Sequence, residues 1–163
     1  MFAADCTLLA NVVDEGTFGW EIWCGGGDER IHTYTTTRHA FTHTHTMRLH
    51  TDVKGEPVKM TAGCRVGNTV WVGDTSGRIT VYSSSRLSVL WSAIVHESVG
   101  GGPAPISALY PLPNLQKVAL ATLTGRLFLV TSEKPEAEGS FVLTELGTAS
   151  ELCCLTAVPR GHG

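Results

Sequence analysis

The chain has 163 residues, 42% of them hydrophobic and 17% charged, with a formal net charge of −3. That balance describes a globular chain of about one ordinary domain and excludes a disordered one. It also argues against nucleic acid as a partner, since phosphate binding needs clustered Lys and Arg and the chain has no like-charge run.

The opening segment MFAADCTLLANVV has no basic start and is interrupted by Asp5, so it does not read as a secretory signal. No stretch approaches the ~18 apolar residues of a membrane helix, so no membrane insertion is expected. The five cysteines are Cys6, Cys24, Cys64, Cys153 and Cys154. Their odd number and unpaired spacing argue for reduced thiols in a cytoplasmic protein rather than a disulfide framework.

Taken in chain order, the residues predict strands throughout. A first strand falls within Cys6 to Val13, followed by Trp20–Cys24, Arg30–Thr35 and Phe41–Leu49. The next group is Pro57–Ala62, Thr69–Gly73, Arg78–Ser83 and Ser88–His96, with Asp74-Thr75-Ser76-Gly77 as a tight turn. The third is Ile106–Tyr110, Lys117–Thr122, Arg126–Thr131 and Phe141–Leu146, with Leu123-Thr124-Gly125 as its turn. Val, Thr, Ile, Tyr and Trp dominate, punctuated by 18 Gly and 7 Pro.

These groups repeat. IWCGGGDERIHTY from Ile22, VWVGDTSGRITVY from Val70 and VALATLTGRLFLV from Val118 start 48 residues apart and align without a gap. Four short strands per unit, several apolar on both faces, at a period a little over 40, describe a β-propeller blade. A sandwich would alternate more cleanly, and solenoid coils are shorter. The expected architecture is all-β: a partial propeller of about three four-stranded blades plus one inner strand. The blades span about 6–50, 56–97 and 104–147, and a fourth begins at 151–158, where Cys154 aligns with Val58 and Ile106. Two open blade faces would then drive self-association or pairing with further blades.

The order of strand, strand, Gly turn, strand ending in an aromatic, strand resembles the WD-repeat propeller. Tyr34-Thr35, Tyr82-Ser83 and Val130-Thr131 stand where that family often has Trp-Asp. VWVGDTSGRITVYSSS is similar to divergent C-terminal propellers of signalling proteins, such as Roco-family leucine-rich-repeat kinases, some Rho exchange factors and JNK-interacting scaffolds. The resemblance implies a non-catalytic scaffold or regulatory module beside kinase, GTPase or exchange domains, with proteins as partners and no cofactor. No phosphate-binding GxxxxGK[ST] loop or kinase motif set occurs in the chain.

Arg30, Arg78 and Arg126 fall in register across the repeats. They are expected to form an arc on the rim of the turns between second and third strands, able to dock an acidic or phosphorylated partner, with Asp28 and Asp74 as neighbouring counter-charges. A second candidate is the run His39, His43, His45 and His50. On a regular strand His43 and His45 share a face about 6–7 Å apart, a spacing that suits a divalent metal if a third ligand approaches. A central-channel binding or catalytic site would draw on Val58, Lys59, Met60, Thr61, Ile106, Ser107, Ala108 and Leu109, which is thin material for catalysis. Trp20, Trp23, Trp71 and Trp91 read as packing between blades.

Overall fold

A computed structural model describes residues 8–13, 20–25, 29–36, 40–49, 55–96, 102–112, 115, 117–132 and 141–148. The expected strand at 151–158 lies outside these residues. Twelve strands among the described residues form three antiparallel sheets, each in simple meander order. Blade 1 comprises β1 (Leu8–Val13), β2 (Trp20–Gly25), β3 (Arg30–Thr36) and β4 (Phe41–Arg48). Blade 2 comprises β5 (Met60–Val66), β6 (Thr69–Asp74), β7 (Arg78–Ser83) and β8 (Val89–Ile94). Blade 3 comprises β9 (Ile106–Leu112), β10 (Lys117–Thr122), β11 (Arg126–Ser132) and β12 (Phe141–Thr148). The fold is a partial β-propeller.

The first strands of the blades are the inner ones. β5 packs against β1 on one side and β9 on the other. The fourth strands are the exposed outer edges. Every side chain of β4 from Phe41 to Thr46 is exposed.

Alternation along the middle strands explains why they are apolar on both faces. Val70, Val72 and Tyr82 turn toward blade 1 and join Trp23 and Ile31 in one buried cluster. Trp71, Ile79 and Val81 turn the other way and meet Ile106, Val118, Leu120, Phe128 and Val130 of blade 3. Each blade therefore has a leading face toward the blade before it and a trailing face toward the blade after it. The repeat carries this over residue by residue. Trp23 and Trp71 hold the same trailing position, and each indole N–H donates to the side chain two residues earlier, Glu21 at 2.9 Å and Thr69 at 3.0 Å. Both are core, as expected for packing between blades; the side chain of Trp20 lies outside the described residues.

Two glycines one repeat apart set how closely blades approach. A Cβ on Gly25 would lie 2.4 Å from Met60 Cβ, and one on Gly73 would lie 2.5 Å from Ile106 Cγ2. Met60 and Ile106 each open the inner strand of the following blade, so only a bare backbone lets that strand in.

Most strand ends fall within two residues of expectation, but one strand is shifted further. β5 runs Met60–Val66 instead of Pro57–Ala62. The Gly67-Asn68 turn decides this. It pairs Val66 with Thr69, and Gly67 adopts φ 54°, which suits a two-residue hairpin. Lys59 is held instead by the next turn: its N–H donates to Thr75 Oγ1 at 3.0 Å, and Thr75 N donates to Lys59 O at 3.0 Å.

Candidate functional site

The turn between second and third strands is the same device in blades 2 and 3. Asp74 Oδ1 accepts Ser76 N at 2.8 Å, Ser76 Oγ at 2.6 Å and Arg78 N at 3.1 Å. One repeat later, Thr122 Oγ1 accepts Arg126 N at 3.1 Å. Side-chain caps of this kind satisfy the turn's amides and fix where the next strand begins. Burial pushes the Asp74 carboxyl above its ordinary range, and the bonds from Ser76 and Arg78 oppose that shift.

Each turn delivers one of the three in-register arginines to the start of a third strand. All three lie on leading faces, because they share parity with His32 and Tyr34, Thr80 and Tyr82, and Phe128 and Val130. Their surroundings differ. Arg126 is the most engaged, its side chain only 12% exposed. Its Nε and Nη2 donate to the two oxygens of Glu145 at 2.9 and 2.6 Å. Its Nη1 donates to the His96 carbonyl of blade 2, and its guanidinium sits 4.8 Å from the Phe128 ring centroid. The hydrogen bonds from Arg126 hold the Glu145 carboxyl below the usual carboxylate range. Arg78 is half-buried, and its Nη1 donates to Ser92 Oγ at 3.2 Å. Arg30 is exposed and lies directly opposite Arg48 on β4.

Glu145 and Ser92 occupy one position. Glu145 is paired with Phe128, and Ser92 with Thr80, the same site one repeat earlier. In blade 1 that site is Thr46, paired with His32. Its hydroxyl is 2.9 Å from His43 Nε2 and 3.2 Å from His32 Nδ1. This relation could not be read from the sequence, because the fourth strands do not keep the 48-residue spacing.

The histidine run behaves differently from expectation. A β-bulge inserts Thr44 opposite Thr33, so His43 registers with Tyr34 and His45 with Thr33. Thr33 and Tyr34 face opposite ways, so His43 and His45 do not share a face. Among the described residues no group of three His, Cys, Asp or Glu is arranged to hold a metal ion. His39 and His50 lie outside those residues.

Of the proposed channel residues, Val58, Met60, Ile106 and Leu109 are buried. Thr61 donates to Gly73 O at 3.1 Å, whereas the hydroxyl of Ser107, also skipped by a bulge, is buried with no hydrogen-bond partner among the described residues. Burial drives the Cys64 thiol up to about 12, which makes it inert at neutral pH. No helix among the described residues is long and apolar enough to cross a membrane.

Neither a protein-family model nor a curated protein matches the sequence. Solved structures do. The β-propeller domain of Myceliophteria thermophila Cps50 (Swd1) aligns over 90% of this chain and 40% of its own, with 12% identity and a TM-score of 0.61. A chain of an active polycomb repressive complex 2 in the basal state aligns over 81% and 28%, at 13% identity and a TM-score of 0.60. A chain of BBS1N in complex with ARL6DN aligns over 85% and 38%, at 14% identity and a TM-score of 0.53. The chain thus spans 40% or less of the length of each of these three structures. At such identities the likeness concerns the fold alone, and it agrees with the three sheets: the chain folds as blades of a β-propeller.

Proposed function

We propose that this chain is a three-blade segment of a non-catalytic, protein-interacting propeller. The observation that carries the reading is the pair of end faces. Every interior blade face in this chain is buried against another blade. The leading face of blade 1 and the trailing face of blade 3 have no described blade beside them. Tyr34 and His32 on one, and Leu127 and Leu129 on the other, are only half-buried. Faces built to that pattern support association with further blades, with a second copy or with a segment of a partner protein. Of the in-register arginines Arg30, Arg78 and Arg126, the exposed Arg30 is the accompanying contact residue, since Arg78 bonds Ser92 and Arg126 is held by Glu145; the partners are proteins. Propellers within multiprotein structures are compatible with this role, and the likeness of VWVGDTSGRITVYSSS to signalling propellers favours a cytoplasmic place beside kinase or GTPase domains.

Light scattering on a size-exclusion peak, with circular dichroism on the same peak, tests this. A folded species of twice the 17.4 kDa chain mass supports closure by a second copy. A chain that becomes ordered only when joined to further blades supports the segment reading. A cooperative, rigid monomer that binds nothing overturns it.

A further inference from the structure

Arg126 shows what this position does in the chain. It holds a carboxylate with two parallel N–H···O bonds and reaches a backbone carbonyl of the neighbouring blade. That is the strong, geometrically selective form of carboxylate recognition. Arg30 is the same residue two repeats earlier, on the same face. In blade 1 the Glu145 position is taken by Thr46, whose hydroxyl is already shared between two imidazoles. Arg48 stands directly across from Arg30. Like charges in direct opposition destabilise a sheet, and nothing in the repeat requires them: Arg78 faces Ile94 and Arg126 faces Thr148. Among the described residues Glu29 is the carboxylate at hand, with Oε2 at 4.0 Å from Arg48 Nη2, and the Arg48 side chain is 75% exposed; Asp28 lies outside those residues. No described residue pairs with the Arg30 guanidinium. The same face continues away from the arginines as His32, His43, Tyr34 and Phe41, with Tyr34 ring contacts of 5.3 Å to His43 and 5.4 Å to Phe41. It has no carboxylate on β3 or β4.

From this charge pattern we infer that the leading face of blade 1 docks an acidic, extended segment of a partner protein, whose carboxylates Arg30 and Arg48 clamp as Arg126 clamps Glu145. The aromatic and imidazole row receives the segment's apolar and backbone groups. This rests on the protein-interaction reading above and names its partner chemistry.

The test is fluorescence anisotropy with a labelled ten-residue peptide of alternating Glu and Ala, against its Gln/Ala counterpart, on the whole chain. The Glu peptide should bind at least about tenfold more tightly, and more weakly as salt rises. Arg30→Gln with Arg48→Gln should remove that difference. Thr46→Glu keeps both arginines but supplies a carboxylate from within the blade; it should block the peptide while raising the melting temperature. Equal binding of the two peptides, or binding unchanged in both variants, overturns the proposal. So does equal binding of anionic vesicles or polyuridylate, which would reduce the face to a general anion sink. A change in the chain's own mass on Arg30→Gln/Arg48→Gln, with peptide binding intact, would assign the arginines to a second copy instead. If the peptide fails while the chain still associates in solution, the site is wrong and the interaction reading survives; if both fail, both are wrong.

Discussion

Glu29 and Gly77 occupy the same place in successive repeats and share a left-handed backbone, with φ of 61° and 76°. Gly125 completes the series at 83°. The turn imposes the conformation, and blade 1 meets it with a residue that has a Cβ. A non-glycine residue there costs about 1–2 kcal/mol. Glycine's greater freedom in the unfolded chain offsets part of that. Glu29→Gly should therefore raise stability by about 0.5–1 kcal/mol, since the exposed pair with Arg48 contributes little. The reverse change, Gly77→Ala, should cost more than about 2 kcal/mol. Its Cβ would meet the Ala104 carbonyl at 2.7 Å, on top of the cost of the left-handed φ. Thermal melts of the two variants read both signs.

Gly73 and Ile106 set how closely blades 2 and 3 approach. Gly73→Ala should destabilise by about 1–3 kcal/mol through overpacking. Ile106→Ala should cost about 2–5 kcal/mol through a cavity in the same cluster. The double variant should be more stable than the sum of the two predicts, because the new methyl occupies space the isoleucine vacates. Strict additivity in denaturant titrations would show that the two residues do not share that space.

Arg126 and Glu145 make a pH-dependent link. The folded-state carboxyl is held below its ordinary value, so its stabilisation is present above the unfolded Glu value of about 4.3 and is lost as pH falls through the folded one. The gap in melting temperature between wild type and Glu145→Gln should stay constant from about pH 7 to 5 and close toward pH 3. A gap that persists at pH 3 would mean the pair acts through packing alone.

Asp74 has the opposite sign. Its carboxyl is raised by burial, so the folded chain favours the protonated form. That advantage is full below the unfolded Asp value of about 3.9 and fades as pH rises through the folded one. Asp74→Asn keeps an acceptor for Ser76 and Arg78 without the charge, and its melting temperature should gain on wild type between about pH 3 and 7. Asp74→Ala should lose about 1–3 kcal/mol at every pH, because the turn's amides lose their acceptor.

The blade is legible in the chain alone: the 48-residue register, the strand composition and the turn glycines Gly77 and Gly125 are local, and local chemistry suffices to place the strands. The start of β5 escaped that reading because Val58 is as apolar as a strand residue, while the Gly67-Asn68 hairpin sets the register. The remainder follows from long-range pairing. Bulges on the outer strands break the two-residue period, so His43 and His45 part company although their spacing suggests a shared face. The three arginines look equivalent in the chain, yet Arg126 is closed by Glu145 and Arg30 is left open to solvent. That difference depends on which fourth-strand residue falls opposite the position two residues after the arginine, Glu145 across from Phe128 and Thr46 across from His32. Cross-strand register is a long-range property, and the repeat does not carry it.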